Sequence, residues 1–461
     1  MSDFVDERVP YSRRVYCNRN LRMDRLRFIG FDMDYTLARY TEAMEFLQAE
    51  MALARLVQRY GYDRGVLALR YDPSFAIRGL TVDTARGNIL KMDSHRFVGR
   101  VWHGKTVLDA EVRKRTYTNR KVSPSDERYV MVDTLFSLPE ISLYSQLVDY
   151  VDRMEPHSSK PTYEKLWSDL RSAMDSLHRD GTLKARIRAN LSRYIFEDQE
   201  LAETLHRFRS SGKKLFVLTN SEADYTQAVM SYLLDGRYPG YATWEDYFDF
   251  VVTLARKPSF FTSEDPFLEV DEALQVTDIE ATKLKRGAMV SGGNFLDLAR
   301  LTGMVGEEVM YVGDHIYGDI LRSKVHTHWR TAMVVQEMEE ELDQLHAHRS
   351  ALEVLEAKQR HRFQLTLELA ARALDGDRAE AVRAEIRDLG RELHEFELGF
   401  AESFNPGWGM LFRDRTELSA FGAQIEDYAC VYTSRVSNFR LYSPQWYFRS
   451  PRDRMAHELQ L

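Results

Sequence analysis

Two short apolar runs of β-type composition, LRFIGF at 26–31 and KLFVLTN at 214–220, are the first strands this sequence offers, and residues 32–213 lie between them. A crossover between parallel neighbours takes a dozen or more residues, usually one helix. A gap of this size therefore requires a second domain inserted into the first. Three further runs follow at shorter intervals, FDFVVT, VMYVGD and WRTAMVV, with helical patterns between them. Strands alternating with helices predict an α/β fold with a doubly wound, mostly parallel, Rossmann-like sheet covered on both faces. The expected division is a discontinuous core, 1–40 and 185–335, an inserted cap, 41–184, a helical hairpin, 336–400, and a closing segment, 401–461, that packs back on the core.

The hairpin is read from periodicity. Val382, Ile386, Leu389, Leu393, Phe396 and Phe400 recur in steps of four and three, the seam of a helix lying on another helix. Leu342, Leu345, Leu352 and Leu355 make an earlier stripe, and LDGDR at 374–378 supplies a turn between the two. Such a hairpin buries its own seam, so an internal prop is the first reading and an oligomer or partner surface the second.

Composition narrows the class. A formal net charge of −8 speaks against a broad basic surface for nucleic acid. Cys17 and Cys430 are the only cysteines, which leaves no disulfide framework or CxxC pair and fits a reducing, cytoplasmic setting. The first residues, MSDFVDERVPYSRR, are charged, so no secretory signal is expected. No run approaches a membrane span.

Chemistry gathers where strands end, which in open α/β sheets is where ligands sit. The first run ends in Asp32 and Asp34, the second in Thr219, Asn220 and Ser221, the fourth in GDHIYGD with Asp314 and Asp319, and Lys257 follows the third. Asp32, Asp314 and Asp319 form an oxygen-only acidic set, which favours a hard cation and Mg²⁺ above zinc. Hydroxyl and amide donors with a lysine beside such a cation make a receptor for a phosphoryl group. One carboxylate can attack phosphorus, and a second can carry the proton. Each piece alone is weak; a DxD after a strand or a lysine before proline is common. Their occurrence in order is the signal.

These pieces, FDMDYTLA, VLTNS, ARKP and YVGDHIYGDI, resemble the four motifs of the haloacid dehalogenase superfamily of phosphatases. DPSFAIRGLTVDTARGNILKMD, DTLFSLPE and ARKPSFF further resemble the cytosolic purine 5′-nucleotidase family, which prefers IMP and GMP. The resemblance implies Asp32 as nucleophile and metal ligand and Asp34 as general acid/base with its backbone carbonyl on Mg²⁺. It implies Thr219, Asn220 and Ser221 around the phosphate, Lys257 on the phosphoryl charge, Asp314 on the metal and Asp319 in support. It also brings a cap helix into play. Arg171, Asp175 and His178 fall at i, i+4 and i+7, which by spacing alone reads as a solvated face with an Arg–Asp pair. The resemblance turns that face, with Lys184 and a stacking Phe136, toward the purine. Arg171 and Lys184 would read a 6-oxo group, so IMP and GMP are expected before AMP.

Members of that family carry an effector site for adenine nucleotides or polyphosphates. Ser123 and Val325 stand here where basic residues are expected and Asp133 where an amide is expected, so this regulation is not expected to carry over. A homo-oligomer, dimer or tetramer, is expected, with no nucleic acid or membrane partner. Two other functions are compatible with the pattern: a nucleoside phosphotransferase using the same intermediate, and a scaffold working through the hairpin.

Overall fold

A computed structural model of the chain describes residues 8–118, 122–123, 125–154, 161–371, 376–415, 417–452 and 458. Its core is one ten-stranded sheet. The strands are β1 (Tyr16–Cys17), β2 (Phe28–Phe31), β3 (Lys214–Leu218), β4 (Phe250–Thr253), β5 (Phe267–Val270), β6 (Val276–Glu280), β7 (Ala288–Gly292), β8 (Val309–Gly313), β9 (Arg330–Val334) and β10 (Val431–Thr433). They lie in the order β1, β10, β9, β8, β2, β3, β4, β7, β5, β6. From β10 to β7 every neighbour is parallel. Only β1, β5 and β6 run against their neighbours.

The central strands are continuous apolar runs because both faces are covered. Ile29, Phe31, Leu215, Val217 and Val251 point into one core, and Phe28, Phe216, Leu218, Phe250 and Val252 into another. Gly30 lets the two central strands meet. A Cβ there would lie 2.2 Å from the Phe216 ring, which instead stacks on Phe250 at 5.0 Å between centroids. The sheet grows in opposite directions from β2, toward β3 on one side and β8 on the other. Beyond the carboxyl end of β2 lies the crevice that such a switch point opens.

The inserted region has its own antiparallel sheet of Thr81–Asp83, Asn88–Met92, Val98–His103, Thr106–Val107 and Tyr129–Met131. Around it lie α1 (Glu42–Tyr60), α2 (Leu138–Asp152), α3 (Tyr163–Arg179) and α4 (Thr182–Arg188). In α3 the Thr162 side chain caps the first turn, and Leu166, Leu170, Ala173, Met174 and Leu177 are buried, leaving the opposite face for polar residues. Arg39–Tyr40 pairs antiparallel with Ile195–Phe196 where the chain leaves and rejoins the core. The boundary expected at 184 therefore falls inside α4, a helix whose polar surface gives no sequence break.

Two further readings change. The closing segment adds β10 to the sheet, parallel to β9, so WRTAMVV is not the last strand. The stripe from Leu342 to Leu355 belongs to two helices, α5 (Met338–Ala347) and α6 (Arg349–Ala371). Leu342 and Leu345 pack with Met333, Val335 and Phe421 of the core rather than on the hairpin seam. Further along, α6 lies against α7 (Gly376–Glu402), with Leu365, Val382 and Leu393 buried. The first two residues of the expected LDGDR turn, 374–375, lie outside the described residues. Among the described residues no helix is long and apolar enough to cross a membrane.

Candidate active site

Asp32 leaves the end of β2 with its N–H donating to the Val312 carbonyl at 2.8 Å, which holds it against β8. Its buried carboxylate meets Lys257, whose Nζ lies 2.8 Å from Asp32 Oδ1 and 2.6 Å from Asp319 Oδ1. Lys257 also donates to the Tyr311 hydroxyl at 2.8 Å, and Tyr311 donates onward to the Leu218 carbonyl at 2.9 Å. Asp32, Asp314 and Asp319 each bring one oxygen into a cluster whose atoms all lie within 4.8 Å of one another. Gly313 makes this possible: a Cβ there would lie 2.6 Å from the Asp319 side chain.

Burial drives the electrostatics. It pushes Asp32 up to about 7 against the pull of Lys257, with Asp319 and Asp34 adding to the rise. It also pushes Asp314 well above the carboxylate range, helped by Asp319 and opposed by Arg78. Burial works against the Lys257 charge, yet Asp319 and Asp32 together hold the ammonium protonated. Asp314 Oδ2 is buried with no hydrogen-bond partner among the described residues. Three buried carboxylates facing one ammonium, one of them with an orphaned oxygen, fit a hard divalent cation.

Asp34 is kept apart from this cluster. Tyr40 donates to its Oδ1 at 2.6 Å and Ser221 to its Oδ2 at 2.8 Å. The chain turns between the two acids and the next element through Tyr35, which is buried and left-handed at φ 54°. A bulky residue in that region is strained and is held only by its surroundings; the Tyr35 ring packs edge-on against Phe136 and Tyr40.

The turn after β3 is tied to the lysine loop. Asn220 spends its side-chain amide on the Lys257 backbone. Its Nδ2 donates to the Lys257 carbonyl at 3.0 Å, and the Lys257 N–H donates to its Oδ1 at 2.6 Å. Thr219 is fully buried and accepts from the Ser221 N–H at 3.1 Å. Both residues hold the loop that presents Lys257 and Ser221.

A cleft of about 450 Å³ opens from Asp34 and Asn220 into the inserted region. Phe136, Arg171, Asp175, His178, Lys184 and Ser221 all line it. The Phe136 ring stands edge-to-face on His178 at 5.2 Å. Arg171 pairs with buried Glu140 at 2.8 Å and lies over the Trp167 ring. Lys184 pairs with Glu222 and donates to Ser221 Oγ at 3.3 Å. Burial, with Lys184 nearby, lowers His178 below its ordinary value.

Tyr40, Tyr311, Glu140 and Arg78 are partners that sequence reasoning did not find. Arg78 comes from the inserted region, is fully buried, donates to the Asp314 carbonyl at 2.8 Å, and grips Glu337 at 2.7 and 2.6 Å. A buried arginine in an apolar stretch, FAIRGL, is a sequence hint of such a partner.

A family model described as the 5′ nucleotidase family matches residues 15–460. A 5′-nucleotidase domain-containing protein of Dictyostelium discoideum is 28% identical over 97% of this chain and 75% of its own length. The 5′-nucleotidase domain-containing protein 2 of Homo sapiens is 28% identical over 97% of this chain and 85% of its own. A solved 2-haloacid dehalogenase from Pseudomonas syringae pv. Tomato DC3000 aligns over 67% of this chain and 86% of its own at 16% identity, with a TM-score of 0.22, too slight a likeness to bear on the fold.

Proposed function

Since this chain belongs to the 5′ nucleotidase family and is a phosphoric monoester hydrolase, we propose that it hydrolyses purine nucleoside 5′-monophosphates, IMP and GMP before AMP, with Mg²⁺ and through an aspartyl-phosphate on Asp32. One arrangement supports the reading. A buried carboxylate at the end of β2 contacts Lys257 and shares a 4.8 Å cluster with two more acids, and, two residues on, Asp34 lines a cleft that reaches into the inserted region.

In the first step an oxygen of Asp32 attacks phosphorus as the bond from phosphorus to O5′ breaks. The bonding pair stays on O5′, which takes the proton of Asp34. In the second step Asp34 takes a proton from water, whose oxygen attacks phosphorus. The bond to Asp32 breaks, and inorganic phosphate leaves with the carboxylate restored. Lys257, held by Tyr311 and Asn220, carries the phosphoryl charge through both steps. Asp32, Asp314 and Asp319, with the Asp34 backbone carbonyl, would hold Mg²⁺. When bound, it offsets the clustered acids and withdraws charge from the phosphoryl oxygens. Phe136 stacks on the base, His178 and Asp175 frame it, and the N–H groups of Arg171 and Lys184 meet the 6-oxo oxygen. Adenine offers a donor at that position and cannot accept from those N–H groups.

Phosphate release from IMP, GMP and AMP, with Mg²⁺ or with EDTA, tests this for the wild type and Asp32→Asn. The expected result is IMP and GMP turnover that needs Mg²⁺ and vanishes in the variant. AMP turnover equal to IMP overturns the specificity; turnover in EDTA or in Asp32→Asn overturns the mechanism.

A further inference from the structure

Asp34 reaches neither Lys257 nor the acid cluster by any hydrogen bond or ion pair described above. Its orientation depends on two hydroxyls, one from a turn of the core and one from the joint between the core and the inserted region. Ser221 comes from the core turn after β3. Tyr40 comes from the two-residue ladder, Tyr40 opposite Ile195, at which the inserted region joins the core. That ladder is pinned on its next residue as well: the Thr41 N–H donates to the Tyr194 carbonyl at 2.9 Å and its hydroxyl to the Arg193 carbonyl at 2.8 Å.

The Tyr40 hydroxyl is itself aimed. Its proton goes to Asp34 Oδ1 at 2.6 Å, so the Tyr225 hydroxyl, 2.8 Å away, is the donor to Tyr40. The Tyr40 ring is buried in a cluster of three rings, 5.0 Å from Tyr35 and 5.9 Å from Phe136, which are themselves 4.6 Å apart. It therefore touches both the ring proposed to stack on the base and the acid proposed to serve the leaving oxygen. A side chain buried against two rings and bonded at its tip is held in its rotamer, and it passes that fixity to the carboxylate it bonds.

We propose that Tyr40 is a positioning residue that aims Asp34 at the leaving oxygen and ties this acid to the joint between the inserted region and the core. This rests on the role of Asp34 given above and goes beyond it, because the joint then sets the geometry of proton transfer as well as the width of the cleft. Tyr40 forms no bond to substrate. Its effect is confined to the moment when the bond from phosphorus to the leaving oxygen breaks and that oxygen takes the Asp34 proton.

Leaving-group chemistry separates this from a structural role. A nucleoside leaves as an alkoxide and needs the proton, whereas 4-nitrophenolate is a stable anion and leaves without it. The parameter kcat/KM covers steps only up to the aspartyl-phosphate, so slower hydrolysis of that intermediate does not enter. Tyr40→Phe is expected to lose about 10- to 100-fold in kcat/KM for IMP, and less than about threefold for 4-nitrophenyl phosphate. Tyr225→Phe, which removes only the donor to Tyr40, is expected to shift the same ratio less, and keeps the test open if Tyr40→Phe folds poorly. Equal losses on both substrates, or no loss, overturn the proposal. Asp34→Asn measured beside them assigns a failure. If it discriminates between the substrates and Tyr40→Phe does not, the positioning role is wrong; if neither does, the role of Asp34 itself is wrong.

Discussion

Replacing Asp314 with asparagine is expected to stabilise the metal-free protein while removing its function. The carboxylate is 4% exposed and its Oδ2 has no hydrogen-bond partner among the described residues. A buried acceptor left unsatisfied costs about 1–3 kcal/mol. Ionised beside a second charged acid within 4.8 Å, Asp314 would meet a repulsion of at least roughly 3.5 kcal/mol at an effective dielectric near 20, and burial with Asp319 accordingly pushes its carboxyl well above the usual carboxylate range. Lys257 contacts Asp32 and Asp319 and relieves them more than Asp314. Charged, Asp314 bears the repulsion; protonated, it must take up a proton that the unfolded chain releases at neutral pH. Asparagine keeps the shape and bears neither cost, and a gain of about 2–3 kcal/mol in EDTA follows. Mg²⁺ should reverse the ranking. A cation that binds only the folded wild type, at a hundred times its Kd, adds about 2.7 kcal/mol, and the variant should gain little of this. Urea unfolding followed by tryptophan fluorescence, in EDTA and in Mg²⁺, reads both effects as shifts of midpoint. A variant less stable than wild type in EDTA, or one stabilised equally by Mg²⁺, would refute the reasoning.

Other variants probe neighbouring parts of the site. Lys257→Met has the opposite sign in EDTA: it leaves Asp32 and Asp319 buried without their partner and should lose about 3–5 kcal/mol by the same unfolding assay. Its kcat should fall by about 10²–10³. Gly313→Ala puts a Cβ 2.6 Å from the Asp319 side chain, and the displaced carboxylate should lower kcat/KM by at least ~10²-fold while circular dichroism stays unchanged. Glu140 is pushed from 4.5 up to about 7, by burial first and Asp175 in addition, against the pull of Arg171. It binds its proton more tightly folded than unfolded, so the stability it contributes is present in full below 4.5 and is lost as pH rises through about 7. The stability of Glu140→Gln relative to wild type should therefore improve from pH 5 to pH 8 in thermal melts; a gap independent of pH would contradict it.

The sequence made some of this legible and hid the rest for physical reasons. Strands β2, β3, β4, β8 and β9 are buried on both faces, so they read as apolar runs, and the polar residues that interrupt them at their carboxyl ends mark the site. By contrast, β6 reads VTDIE on an exposed edge, and β7, although interior and partly buried, reads AMVSG, too short an apolar run to mark a strand. β10 is three residues long and reaches β9 from almost a hundred positions away. Leu342 and Leu345 have helical spacing, but spacing does not say which neighbour a stripe faces. At the site, the six cleft residues were found through family motifs, since Arg171, Asp175 and His178 alone look like any polar helix face. The bond from Asn220 to the Lys257 backbone is not visible in the sequence, because an amide that holds a loop and one that meets a phosphate leave the same trace there. The partners of Tyr40, Tyr311 and Arg78 are not legible in the sequence for a common reason, although the arginine in FAIRGL hints that it has one. Tyr40 and Tyr311 resemble ordinary core aromatics, and what distinguishes each of the three is a polar tip meeting a residue that only folding brings near.

The proposed reaction passes through a phosphorylated Asp32. Turnover of IMP with Mg²⁺, quenched in acid and reduced with borohydride, converts an aspartyl-phosphate to homoserine, which peptide mass spectrometry locates. The expected result is homoserine at position 32, present only when IMP and Mg²⁺ are both supplied. Continued turnover with residue 32 left as aspartate, or reduction at another residue, would contradict it.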